Sequence, residues 1–468
     1  MVRITRPVLR VAPLLACALT ALALPAGAAA ATAGFGAPIA LRAASLRSAG
    51  EPAVGVASDG GVVAAWDQQL SARAFGVVVR RGTTSGRFGP AERLTTAGYQ
   101  PGVAAGRGGG AAVIWQTSAR GGTRSLRVAV ARGHARFGGA QTLMRVRANV
   151  TSEQVVASGG RYVAIWWQGV PGTGHHAVRY ALRDAAGRFG AAHTLAPDTG
   201  PLTGVSAAAG PDGTVTAAWG TPLGGTVASN QQLAYARLAP GATTFGPVGG
   251  LRAAAADAGA ETGGIAVAAG PGGTALTWTE AGQLPELLRT APLPATGTPA
   301  PQTVFTLDSA DLGKRYVTGP ALALPGGGRA PVATWSVLES PGGESEAITG
   351  GSVFAASAAA DGTYPGAVQL SAPGTIATQA VAAATEATGV VAWSTGQFPR
   401  YGLQYATAGP GGFSTARPLT SSHAERGVEL ASSPGAVVAI WVSRPGPGGA
   451  HPHGALRGIA IAILKGAA

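Results

Sequence analysis

Eight copies of one motif constrain this chain more than any other feature of its sequence. Each copy is an apolar run, a glycine-bearing turn and a second apolar run that ends in tryptophan. The clearest are "VASDGGVVAAW", "VAAGRGGGAAVIW", "VASGGRYVAIW", "AAAGPDGTVTAAW" and "VAAGPGGTALTW"; "ALPGGGRAPVATW", "VAAATEATGVVAW" and "LASSPGAVVAIW" are weaker copies. The tryptophans are Trp66, Trp115, Trp166, Trp219, Trp278, Trp335, Trp393 and Trp441, with a mean spacing of about 54 residues. Repetition on that scale means a stack or ring of like units, none of which buries its apolar surface alone.

A second motif alternates with the first: an aromatic followed six residues later by leucine. Its pairs are Phe35–Leu41, Phe88–Leu94, Phe137–Leu143, Phe189–Leu195, Phe245–Leu251, Tyr364–Leu370 and Phe413–Leu419, with Thr298–Val304 as a degraded copy. One further strand-like run, such as "LRVAVAR" or "AVRYALR", lies between each tryptophan and the next aromatic. The unit therefore reads as four short strands, a to d, with a Gly-Gly hairpin between a and b. In strand b, Val62, Ala64 and Trp66 alternate with Val63 and Ala65, so both faces are apolar and each sheet must be covered on both sides. Composition agrees: 74 glycines and 33 prolines in 468 residues oppose long helices, and 46% hydrophobic against 12% charged residues opposes disorder.

The ends of the repeat array select a ring. The chain past its leader opens on a lone d strand, Phe35 to Leu41, and finishes on a lone a-b-c set ending in "GIAIAIL". Pairing the two completes a blade and removes two exposed sheet edges. The expectation is an all-β, single β-propeller of eight four-stranded blades over 33–468, with seven blades as the alternative because the sixth unit is poorly formed.

Residues 1–32 read as a secretory signal: Arg3, Arg6 and Arg10, then "VAPLLACALTALAL", then the small residues of "PAGAAAATA". Cys17, the single cysteine, sits in "LLAC", read either as a lipoprotein box or as an ordinary signal-core residue. The expected protein is exported, cysteine-free once processed, and monomeric. "GIAIAIL" is far shorter than the roughly 20 residues a spanning helix needs.

Four-stranded blades with a glycine-bearing c–d turn followed by an aromatic resemble the sialidase (BNR/Asp-box) propellers. "RDAAGRF" keeps that family's Asp-to-aromatic spacing through Asp184 and Phe189, but lacks its serine, and Gly187 is displaced; "ADGTY" at 361–364 is equally partial. The resemblance implies a propeller fold, and for an active member an arginine triad, a Tyr–Glu pair and an aspartate. The Phe/Tyr-Arg-Ile-Pro segment carrying one of those arginines is missing from the chain past its leader. Tyr99, Tyr162, Tyr316, Glu51 and Glu261 stand outside recognisable motifs, so no catalytic residue is assigned, and a glycoside hydrolase remains the alternative function.

Charge is the more informative signal. Residues 33–190 carry 19 arginines against 6 acidic groups, whereas 191–468 carry 12 basic against 15 acidic. Arg80, Arg81, Arg87, Arg132, Arg136, Arg183 and Arg188 gather around the c–d turns of blades one to three, forming either a binding sector for an anionic polymer or surface, or a solvated basic edge. Export disfavours nucleic acid as partner. His175-His176 and His451/His453 lack carboxylate support, so no metal site or cofactor is expected, and Asn149-Val150-Thr151 matches a glycosylation sequon by chance. The stretches "FTLDSADLGKRYVTGP" and "SVLESPGGESEAITGG" read as the longest connections, both on the d–a/b–c face flanking blade six. The leading expectation is an exported, non-catalytic propeller that binds an anionic cell-surface or extracellular polymer; a structural envelope protein is the third reading.

Overall fold

The alternation of valine, alanine and tryptophan in strand b produces a sheet with two apolar faces, and the computed structural model shows how both are buried. It describes residues 34–466 except 46–48, 72–73, 120–121, 174, 184–186, 200–203, 223–231, 254–260, 282–284, 295–296, 309–313, 341–347, 398–399, 421–423 and 444–456. The signal segment with Cys17, Asp184, and His451 and His453 lie outside the described residues.

Eight four-stranded antiparallel blades form a ring, a β-propeller. Blade 1 comprises Ala49–Val56, Gly61–Ser71, Ala74–Thr83 and Glu92–Arg93 as strands a to d. Blade 2 comprises Tyr99–Ala105, Ala111–Ser118, Arg124–Ala131 and Gln141–Val146, and blade 3 Val150–Ser158, Arg161–Gly169, His176–Leu182 and His193–Thr199. Blades 4 to 7 repeat the order through 418. Blade 8 takes strands a to c from Ala424–Ser433, Ala436–Ser443 and Arg457–Lys465, and its d strand from Ile39–Ser45. The closing register pairs Ile39 with Ile461 and Ala40 with Ala460, and the Gly36 amide donates to Ile463 O at 3.0 Å. The ring has eight blades; the seven-blade alternative falls because the sixth unit, Arg315–Ala323 through Val368–Gln369, is a complete sheet with a two-residue d strand.

The core is eight separate interfaces, each holding one repeat tryptophan. Val62, Ala64 and Trp66 pack on Val438, Ile440 and Ile461 of blade 8, while Val63 and Ala65 pack with Val113 and Trp115 of blade 2. All eight tryptophans are at most 1% exposed. Burying an indole supplies several kcal/mol at each seam.

Strand a lies innermost and touches strand a of both neighbouring blades all the way round. Near its start it carries a bulge in blades 1 to 3 and 5 to 8. The bulge residue has left-handed backbone: Glu51, Gln100, Ser152 and Gln379 at φ 32° to 57°, and Gly264, Gly319 and Gly427 elsewhere. Such geometry is costly for non-glycine residues and marks strain held by the surrounding structure. The a–b and c–d turns share one face of the ring, and the d–a and b–c connections share the other. The two stretches read as long loops are partly strand: the connections themselves run from Leu307 to Arg315 and from Glu339 to Gly350. The b–c connection of blade 8, from Ser443 to Arg457, is longer than either.

Candidate functional site: a cationic turn face and an acidic mouth

The seven rim arginines fall on the face of the a–b and c–d turns, as their place at the ends of strands c requires. They divide by what their guanidiniums touch. Arg80 donates to Gly89 O at 2.8 Å and to Leu41 O at 2.6 Å, tying blade 1 to the closing strand. Arg81 donates to Gly133 O, His134 O and Ala135 O at 2.7–3.2 Å and stacks 5.3 Å from the Phe137 ring, clasping the c–d turn of blade 2. Arg183 donates to Gly187 O at 3.2 Å and lies 5.5 Å from the Tyr162 ring. A Cβ on Gly187 would sit on the Arg132 guanidinium, which places Arg132 against the blade 3 turn. Arg87, Arg132, Arg136 and Arg188 are exposed. The aromatic of each turn anchors this arrangement: Phe88 folds back on Gly82, where a Cβ would come within 2.5 Å of its ring.

Two concavities open on this face. One, of about 920 Å³, lies between the turns of blades 1 and 2 and is lined by Arg81, Arg87, Arg93, Arg136 and His134, with Asp59 and Glu92 as its acidic groups. The other, of about 840 Å³, is ringed by the a–b turns of blades 1 to 5 and 8. It brings Arg132 and Arg183 together with Arg107 and Arg161, neither of which the rim pattern includes. The sequence does contain both, in the a–b turns "GRGGG" and "GGRY", but only ring closure shows that these turns meet. Asp59 accepts from the Gly108 and Gly61 amides, which hold its carboxyl below the usual range, with the Arg107 charge adding a little.

The opposite mouth is acidic. In blades 1, 2, 6 and 7 the polar residue after the tryptophan in strand b reaches the start of strand a of the next blade. Asp67 accepts from the backbone amides of Gly50 and Gln100; Ser336 Oγ accepts from the Ala380 amide and Ser394 Oγ from the Gly427 amide, both at 3.4 Å. Gln116 is 1% exposed, and its Nε2 lies 2.8–3.0 Å from Glu153 Oε1 and Oε2, Gln100 Oε1 and Val150 O. Four acceptors share two hydrogens there.

Burial raises the Asp67 carboxyl to about 6, and the Glu51 charge adds to the rise. Burial likewise raises Glu153 to about 7, against the opposing hydrogen bond from Gln116. Glu429 touches solvent along the axis but is otherwise walled in by the ring; this lifts its carboxyl to about 7, with Glu51 again contributing. Glu51 is itself raised by the enclosing protein, against its hydrogen bond with Gln100. Glu51 thus couples three carboxylates from blades 8, 1 and 3. No grouping of three or more His, Cys, Asp or Glu among the described residues has the geometry to hold a metal ion. His176, the first residue of strand c in blade 3, stacks on Trp167 with centroids 3.7 Å apart, and His175 precedes it in the b–c connection.

No family model matches the sequence, and comparison with curated proteins finds no match. Among solved structures, the fold is similar to an ulvan lyase of a polysaccharide lyase family (9% identity, 91% of this chain and 96% of that chain, TM-score 0.47). It is also similar to the NanB sialidase from Streptococcus pneumoniae (7% identity, 65% and 67%, TM-score 0.37). A prolyl endopeptidase structure shares 16% identity over 85% of this chain at TM-score 0.45; the chain spans about half the length of that protein, 53%. Sialidases and other propeller enzymes are thus among the structures it resembles in fold, and their activities are mixed.

Proposed function

We propose that this protein is an exported, monomeric, non-catalytic β-propeller that binds an anionic cell-surface or extracellular polymer through the turn face of blades 1 to 3. The observation carrying this reading is the kind of partner the arginines have. Arg80, Arg81, Arg161 and Arg183 are held by neutral backbone carbonyls, so their placement is fixed while their charge is not cancelled. Exposed Arg87, Arg136 and Arg188 add to that field on adjacent turns. A fixed array of like charges attracts an extended polyanion and weakens with salt.

The test is retention on immobilised polygalacturonate across a salt gradient. Elution should move to much lower salt when Arg87, Arg136 and Arg188 become glutamine together, and should hardly move when Arg289, Arg329 and Arg417 do. Retention that ignores salt, or equal losses from both triple variants, would refute the reading.

The acidic mouth favours one other reading, a glycoside hydrolase using Glu51 with a carboxyl held protonated near neutrality. Release of reducing sugar from a glycan library that Glu51→Gln abolishes, with polymer retention unchanged, would replace the binding reading with this one.

A further inference from the structure

The geometry points to the concavity ringed by the a–b turns as a site for a single tetrahedral oxyanion, phosphate or sulfate, carried on a sugar-sized ligand. It deepens the proposed function, since it lies on the same face and shares Arg132, Arg161 and Arg183 with it, but it adds Arg107 and does without Arg87, Arg136 and Arg188.

Its construction starts from glycine. The a–b turns are "SDGG", "GRGGG", "SGGR" and "GPDG" in blades 1 to 4, so the mouth is lined by backbone and by few side chains. Gly159 and Gly160 both have left-handed φ, 54° and 83°, and a Cβ added to either would meet open space. Neither position is left bare by crowding, and successive turn amides of this kind form anion-binding concavities. The large side chains that line it are Arg107, Arg132, Arg161 and Arg183, above the buried Tyr162 ring.

The donors of three of these arginines are only partly used. Arg107 Nε donates to Ser58 Oγ at 3.1 Å, Arg161 Nη1 to Ala242 O at 3.0 Å, and Arg183 Nε to Gly187 O at 3.2 Å. Each guanidinium has five N–H groups, so the outer nitrogens of Arg107 and Arg183 and Nη2 of Arg161 have no acceptor among the described residues. The lining contains one described carboxylate, Asp212, and it is occupied: the Thr214 amide and hydroxyl donate to it at 2.9 and 2.7 Å.

Four arginines from two neighbouring blades therefore line one opening. A planar carboxylate is satisfied by one guanidinium fork. A tetrahedral oxyanion presents three oxygens in three directions and, as a phosphomonoester, carries close to two negative charges at neutral pH. It is the better match to four guanidiniums gathered on the turns of neighbouring blades 2 and 3. Pro211 and Pro271 supply apolar wall against which the rest of a sugar can lie. At about 840 Å³ the space suits one or two sugar units.

Calorimetric titration of the full chain with glucose 6-phosphate, glucose 6-sulfate, glucuronate and glucose tests this. The phosphate ester, the sulfate ester or both should bind, and glucose should not. Arg107→Gln and Arg161→Gln should each weaken binding roughly tenfold, whereas the Arg87/Arg136/Arg188 glutamine triple should leave it intact. Arg107 is exposed with one side-chain partner, so that variant keeps the test valid if Arg161→Gln fails to fold. Binding of neither ester up to about 10 mM, tighter binding of glucuronate than of both esters, or affinity unchanged in Arg107→Gln would overturn the site. Polymer retention alone, without ester binding, leaves the rim reading standing and removes this one. Ester binding without salt-sensitive retention does the reverse.

Discussion

Replacing Glu153 with glutamine should make the protein more stable at alkaline pH and flatten its pH dependence. Ionised Glu153 needs more donors than its surroundings give, because the two hydrogens of Gln116 Nε2 are shared among four acceptors. Burial is the main cause of the rise from 4.5 to about 7, which the Gln116 hydrogen bond opposes only in part, and holding a proton removes the unmet charge. A carboxyl whose folded pKa is raised favours the folded state fully below about pH 4.5, and that contribution is lost as pH climbs through about 7. Two and a half pKa units at about 1.4 kcal/mol each give roughly 3 kcal/mol for a group this well buried. Glutamine keeps the shape, removes one acceptor and cannot ionise. Denaturant unfolding followed by tryptophan fluorescence should show the variant about 2–3 kcal/mol more stable than the parent near pH 8 and close to it near pH 4.5. A variant that is less stable at pH 8, or that keeps the parent's full pH slope, would refute this account of the Gln116 cluster.

Other expectations follow from the blade seams. Trp441→Ala should cost about 3–5 kcal/mol through lost contacts and a cavity between blades 7 and 8, seen as a lower Tm; an unchanged Tm would mean the seam is not set by the indole. Trp278→Phe should cost more than Trp393→Phe, because Trp278 Nε1 donates to Glu280 at 3.1 Å whereas Trp393 Nε1 has no acceptor among the described residues; the difference should be about 1–3 kcal/mol by the same unfolding assay. Deleting residues 34–45 should leave the edge of Arg457–Lys465 open and produce aggregation in light scattering, while a monomeric variant of parental stability would argue against closure.

The ring was legible because its determinants are local and periodic. Strand b alternation announces two buried faces, and the unpaired "GIAIAIL" and Phe35–Leu41 announce their pairing. The acidic mouth was hidden for two reasons. Glu51 and Gln100 take part in it from a bulge that turns their backbone left-handed, and nothing in the residues themselves marks that. Asp67 and Gln116 did carry a mark, a polar residue directly after the repeat tryptophan, whose meaning emerges once the next blade is in place. The rim arginines show the converse. Their clustering was plain in the sequence, but Arg80 and Arg81 serve also as clasps between blades, since carbonyls of neighbouring turns lie within reach of strand c.

The most direct test of the central claim is amide hydrogen exchange with and without polygalacturonate at low salt. Protection confined to the a–b and c–d turns of blades 1 to 3, around 58–61, 84–90, 107–110, 133–138 and 187–190, is the predicted result. Protection on the d–a and b–c connections around the acidic mouth, or no protection while the polymer is bound, would contradict it.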